Sequence, residues 1–198
     1  MNYHFFATLS RMKYIERWAL MRNARHETLS EHALEVAMIA HGLCIIGNTR
    51  YGRHLNAEKA ALVALYHDAS EIITGDMPTP VKYRSSKIRS AYKEVEAAAD
   101  EQLLSLLPED LKPAYEAIFE PYGDPDEMYM RMLVKAADKI SALIKCIEEA
   151  RAGNTEFSTA AESTQSAIDK LCKESPEVRD FVKDFLPSYG RTLDELLG

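Results

Sequence analysis

Cysteine is scarce in this sequence: three residues in 198, Cys44, Cys146 and Cys172, with no C-x-x-C spacing. An odd number of widely separated thiols argues against a disulfide framework and against a thiolate-built metal cluster, so reduced, mostly buried thiols are expected. Glycine and proline are also few, eight of each, and gather in short segments such as GNTRYG, GDMPTP, LPEDLKP, EPYGDP and LPSYG. Positive charge is in deficit, 24 Lys and Arg against 31 Asp and Glu for a net −7. That balance disfavours a nucleic-acid polymer as partner while leaving room for a local basic site that takes one small anion. No window reads as the roughly 18 apolar residues of a membrane span. The opening MNYHFFATLSRMKYIERW lacks the continuous apolar core of an export signal. The expectation is a cytoplasmic protein without a membrane partner.

Between the glycine and proline breaks the apolar residues recur with the 3.6 period of helices, which predicts an all-α fold. The pattern places helices near 4–14, 29–47, 56–74, 85–107, 109–119, 126–151, 155–173, 176–185 and 191–197. One domain spanning 1–198 suits this length, with its chemistry-bearing region at about 28–150.

The helix from about 29 opens on T28-L-S-E31, a capping-box pattern. It is then apolar on two stripes, Val36, Ile39, Leu43 and Ile46 on one and Leu34, Met38 and Ile45 on the other, which predicts a buried central helix. His32 heads the first stripe and points inward, so it needs a partner. In the helix over 126–151, Leu133, Ala137, Ile140, Ile144 and Ile147 mark a core face, and Val134, Asp138 and Ser141 run beside it. A carboxylate there needs a cation, a metal or several donors.

His67 and Asp68 are neighbours on the helix expected over 56–74, and Glu71 follows them at i+4 and i+3, so all three converge on one wedge above the helix end. With His32 and Asp138 from two other helices they make a set of two imidazoles and carboxylates that suits Co²⁺, Mn²⁺, Fe²⁺ or Zn²⁺. Blander readings exist for each residue alone. The histidines could be satisfied core or capping groups, Glu71 a helix-end acid, Arg17 a solvated charge and Trp18 a packing anchor. Asp138 could be half of a buried pair with Lys135 or Arg131. His41 lies nine residues from His32, about 180° around the helix and roughly 13 Å along it, so the two cannot share an ion. It reads as a core histidine bonded to a backbone carbonyl, and His4, His26 and His54 as surface or loop residues.

The series His32, His67-Asp68 and Asp138 resembles the H…HD…D signature of the HD-domain phosphohydrolases. The strings LMRNARHETLSEHALEVAMIAH, YHDASEIITGDMPTPVKY and KAADKISALIKCIEEARAGNTEF, with ERW near residue 17, resemble more narrowly the bacterial HD-domain 5′-deoxynucleotidases. The resemblance implies an HD-type helical bundle in which His32, His67, Asp68 and Asp138 hold one divalent ion, Co²⁺ or Mn²⁺ foremost and Zn²⁺ or Fe²⁺ as alternatives. It further implies that a metal-bound water attacks the 5′-phosphate of a deoxyribonucleoside monophosphate. In that scheme Glu71 is the general acid or base and Arg17 orients the phosphate, while Trp18 lies against the sugar and excludes a 2′-hydroxyl. Asp76 and Thr79 hold sugar hydroxyls or phosphate, Met77 and Pro78 supply backbone and shape, and His32, Asp68 and Asp138 also border the substrate. A homodimer is implied as well. Other HD substrates, such as a nucleoside triphosphate, a cyclic dinucleotide or an alarmone, call for more cations than Arg17 with Lys82 or Arg22. A non-catalytic, metal-stabilised helical protein would have no need of Glu71.

Overall fold

A computed structural model describes residues 2–82, 84–120 and 123–198, with the side chain of Thr79 outside the described set. Helix α1 (Phe5–Leu9) runs into a 3-10 turn, Ser10–Tyr14. Strands β1 (Glu16–Arg17) and β2 (Glu27–Thr28) then pair antiparallel with Arg17 opposite Glu27. The rest is helical: α2 (Leu29–Tyr51), α3 (Ala57–Tyr66), α4 (Glu71–Thr74), α5 (Thr79–Lys82), α6 (Ser86–Leu104), α7 (Lys112–Phe119), α8 (Pro125–Arg151), α9 (Ser158–Glu174), α10 (Pro176–Asp184) and α11 (Leu193–Leu197). The all-α expectation holds. The β1–β2 ribbon is too short to show a period-2 pattern, and sequence periodicity misses it.

Helices α2, α3, α8 and α10 enclose the main core, built from side chains such as Val36, Leu43, Val63, Leu133, Ile140, Ile144 and Val178. Burying each such side chain is worth about 1.5–3 kcal/mol, which sets the scale against which the polar groups of the site are held inside. Helix α2 starts as its sequence predicts: Thr28 Oγ1 accepts from Glu31 N, and Glu31 Oε2 accepts from Thr28 N at 2.8 Å. It runs past the expected stop at 47 and ends at Gly52, whose φ of 62° is left-handed and suits glycine. Gly47 is internal because a Cβ there would lie 3.1 Å from Glu177 Oε1 on α10.

Three expectations about α2 are corrected. Val36, Ile39, Leu43 and Ile46 are buried, but Leu34, Met38 and Ile45 are 55%, 62% and 44% exposed, because α3, α8 and α10 pack on the other sides. His41 falls on that same exposed stripe and is not a core histidine; His4, His26 and His54 are exposed, as expected. Helix α2 is also, by length and composition, apolar enough to cross a bilayer, against the sequence expectation. More than half of its most apolar stretch is buried in the bundle, as befits a core helix.

The single helix expected over 56–74 is broken. After Tyr66 the backbone tightens into i→i+3 turns, Ala69 N to Tyr66 O at 3.0 Å and Glu71 N to Asp68 O at 3.0 Å, before α4 resumes. His67 causes part of this by placing its own Nδ1 2.7 Å from Ala64 O, the acceptor that an uninterrupted helix offers to the backbone N–H of residue 68. Gly75, at φ 73°, ends α4.

Candidate active site

The break sets the HD pair on a turn that faces α2 and α8. Ligand atoms of His32, His67 and Asp68 all lie within 4.8 Å of one another. Asp68 Oδ2 is 3.0 Å from His67 Nε2 and 3.6 Å from His32 Nε2, and Asp138 Oδ1 on α8 is 3.3 Å from His32 Nε2. Both Nε2 atoms are buried, and neither has a hydrogen-bond partner in acceptable geometry among the described residues. The opposite nitrogens are engaged. Nδ1 of His67 faces the Ala64 carbonyl, which can only accept, so Nδ1 keeps its proton and Nε2 is the nitrogen left to bind an ion. His32 Nδ1 lies 3.0 Å from Ser141 Oγ.

Two buried imidazole Nε2 atoms converging with two carboxylates are the donor set of a borderline divalent ion, and such an ion would satisfy both orphaned nitrogens. Burial holds His32 below its ordinary value despite Asp138. His67 is raised to about 9: burial acts downward, but Asp68 and then Asp138 outweigh it. Burial pushes the two aspartates up, yet His67 keeps Asp68 lowered, and His32 and Lys139 keep Asp138 well below its usual range.

Glu71, at the start of α4, is buried, and its Oε2 has no hydrogen-bond partner among the described residues. Burial first, then the charges of Asp68 and Asp76, push its carboxyl up to about 9.

Arg17 on β1 donates from a terminal nitrogen to Glu27 Oε2 at 2.7 Å, its side chain only 11% exposed. Burial would lower its pKa, but Glu27, Asp138, Asp68 and Asp76 together raise it, so a fixed cation overlooks the cluster. Trp18 takes φ 58°, the one positive φ among described non-glycine residues, a strain of about 1–3 kcal/mol of the kind that gathers at functional sites. Its backbone N donates to Asp76 Oδ2 at 3.4 Å, its carbonyl accepts from Met21 N and Asn23 Nδ2, and its ring sits 5.3 Å from Phe157. Asp76, Met77 and Pro78 are half-buried on the loop after α4, and the Pro78 carbonyl accepts from Val81 N to begin α5. The side chain of Thr79 lies outside the described residues.

The ion-pair alternative for Asp138 is corrected. Its partner is Lys139, with Nζ 3.0 Å from Asp138 Oδ2. Arg131 instead bonds Glu127 and the carbonyls of Ala117, Ile118 and Glu120. Lys82 and Arg22 are each drawn to a carboxylate, Glu96 and Glu156. Sequence reasoning missed Glu27, Glu35 and Phe157, and it noted Ser141 only as a stripe position.

A family model described as 5′-deoxynucleotidase YfbR-like matches residues 4–189. The chain belongs to the YfbR-like 5′-deoxynucleotidase family. A 5′-deoxynucleotidase of Shewanella oneidensis is 45% identical over 194 residues, covering 98% of this chain and 97% of the relative. One from Yersinia pseudotuberculosis is 46% identical over 193 residues, covering 98% and 96%. Among solved structures, an HD-domain phosphohydrolase of Listeria innocua aligns with a TM-score of 0.80 at 25% identity, covering 94% of this chain and 88% of that one. The HD phosphohydrolase DatZ of cyanophage S-2L, solved with dA and one catalytic Zn²⁺, aligns at 0.67 and 20% identity over 94% of this chain and 96% of its own. These neighbours establish the HD-phosphohydrolase fold, as the H…HD…D spacing predicts.

Proposed function

We propose that this protein is a phosphoric monoester hydrolase, a 5′-deoxynucleotidase that uses one divalent ion per chain to convert deoxyribonucleoside 5′-monophosphates to deoxynucleosides and phosphate. The observation that carries the reading is the pair of buried Nε2 atoms, without hydrogen-bond partners among the described residues, facing Asp68 and Asp138, with Arg17 and Glu71 within electrostatic reach of Asp68. His32, His67, Asp68 and Asp138 hold the ion, with Co²⁺ or Mn²⁺ as first choice and Zn²⁺ or Fe²⁺ also suited to the set. When bound, the ion supplies Lewis acidity at the phosphoryl group and activation of water.

The chain supplies the rest. Arg17, anchored through one terminal nitrogen by Glu27, turns the rest of its fork to the phosphate oxygens. Glu71 carries the proton exchanged with the attacking water or the departing 5′-oxygen. Trp18, braced by Asp76 and Phe157, walls the sugar where a 2′-hydroxyl would project. Asp76 and Thr79 take sugar hydroxyl or phosphate contacts, and Met77 and Pro78 shape the loop. The sparse cations favour one phosphate, since Lys82 and Arg22 are already paired with carboxylates. The reading extends to a cytoplasmic homodimer: the thiols of Cys44, Cys146 and Cys172 are free, and the exposed stripe of Leu34, Met38, His41 and Ile45 offers a face for a second copy.

The test is phosphate release from matched deoxyribo and ribo 5′-monophosphates after the protein is stripped and single ions are restored. Metal-dependent release from the deoxy member alone is the expected result. Equal release from both would discard the role of Trp18, and no release with any ion would overturn the activity.

A further inference from the structure

Ser141 is fully buried on α8, one turn beyond Asp138, and its hydroxyl is used at both ends. It donates to Glu35 Oε2 on α2 at 2.6 Å, a short, charge-assisted hydrogen bond. A hydroxyl has one proton, so its oxygen faces His32 Nδ1 at 3.0 Å as an acceptor. His32 is thereby held as the Nδ1–H tautomer with the lone pair on Nε2, the atom between Asp68 and Asp138. His67 has its Nδ1 held more simply, by the Ala64 carbonyl. The two imidazoles are thus oriented by different devices. One rests on backbone and cannot be mutated away; the other rests on two side chains. Lost acceptor chemistry at Ser141 would leave the fully buried His32 ring free to rotate or to move its proton to Nε2, where it cannot ligate.

We propose that Ser141 and Glu35 are positioning residues that fix the tautomer and ring plane of His32 for ion binding, an inference that rests on the ion site described above. Neither residue touches the ion. The chain Glu35, Ser141, His32 acts through the imidazole, and outer groups of this kind typically change ion affinity by about 10- to 100-fold.

The experiment titrates Co²⁺ into the stripped full-length protein against a competing chelator and records the visible Co²⁺ absorption of wild type, Ser141→Ala, Ser141→Thr and Glu35→Ala. Wild type is expected to bind one ion. Ser141→Ala should weaken it roughly 10-fold or more with an altered absorption band, and Ser141→Thr, which restores the hydroxyl, should recover both. Glu35→Ala should lie between, because the hydroxyl remains but loses its fixed direction. A merely structural role would lower thermal stability of the stripped protein without moving affinity or spectrum. Wild-type affinity and band shape in both alanine variants would overturn the proposal, even where one of them folds poorly and the other is read alone. Failure of wild type itself to bind Co²⁺ would overturn the ion site and this inference with it.

Discussion

Helix α8 carries two buried polar clusters on one stripe, and they are finished differently. Asp138, Ser141, Lys145 and Glu149 follow at spacings of three, four and four, so they line one side of the helix over roughly 16 Å. At the far end every donor meets an acceptor. Glu149 takes Lys145, Asn154 Nδ2 and the backbone N–H groups of Ala24 and Arg25, and Lys145 also reaches the Arg25 carbonyl. Against the upward push of burial, these bonds bring the Glu149 carboxyl down to about 2. At the near end His32 Nε2, His67 Nε2 and Glu71 Oε2 have no such partners among the described residues. Burial is equal in kind; completion separates an anchor from a site. The Lys145–Glu149 cluster ties the 18–26 loop, which carries Trp18, to α8.

The largest expected effect tests the incomplete end. Glu71→Gln removes the proton carrier and keeps the shape, so kcat should fall about 10²- to 10⁴-fold while the ion still binds with wild-type stoichiometry. Near-wild-type turnover would make Glu71 a bystander. The completed end should answer in stability. Lys145→Met leaves Glu149 buried without its cation, and a loss of about 3 kcal/mol is expected from urea unfolding of the stripped protein. An unchanged midpoint would mean that the backbone donors of Ala24 and Arg25 suffice for the charge, and the contrast between the two ends would weaken.

A pH series sharpens the same contrast. Without an ion His67 is raised to about 9, so at neutral pH its proton must leave when an ion takes Nε2. Apparent affinity should therefore rise about tenfold per pH unit until roughly pH 9 and flatten above it. The Glu149 carboxyl responds in the same direction but in a lower window. Its folded value of about 2 lies below its ordinary one, so its contribution to stability is full above about pH 4.5 and is lost as pH falls toward 2. Ion affinity that stays flat between pH 6 and 9 would show that His67 is neutral before the ion arrives.

How much of this was legible in the sequence follows from range. Local periodicity delivered the helices, the Thr28 capping box and the core face of α8. The H…HD…D spacing delivered the four residues that meet beside α2. Three features were hidden. The break after Tyr66 depends on His67 competing for the Ala64 carbonyl, and the apolar period on either side runs through it unchanged. The stripe of Leu34, Met38, His41 and Ile45 is as apolar as a core face, and only the packing of α3, α8 and α10 shows that it looks outward. The links from Ser141 to Glu35 and from Glu149 to Ala24 join residues 106 and 125 positions apart, where no local pattern reaches.

The smallest predicted effect concerns how the completed end serves the incomplete one. Trp18 sits in a strained backbone conformation with its ring 5.3 Å from Phe157 at an interplanar angle of 58°, and Phe157 is buried against Lys145. An aromatic pair of this kind is worth about 0.5–1.5 kcal/mol beyond simple burial. Phe157→Leu keeps an apolar filler but removes the flat brace, so the indole gains freedom to swing from the sugar. Discrimination between deoxyribo and ribo monophosphates should fall roughly 2- to 10-fold, through better turnover of the ribo substrate, with the deoxy rate and ion affinity little changed. A ratio that holds while Phe157→Leu lowers both rates together would show that the ring supports the loop as a whole, and that selection against the 2′-hydroxyl needs the position of Trp18 but not its rigidity.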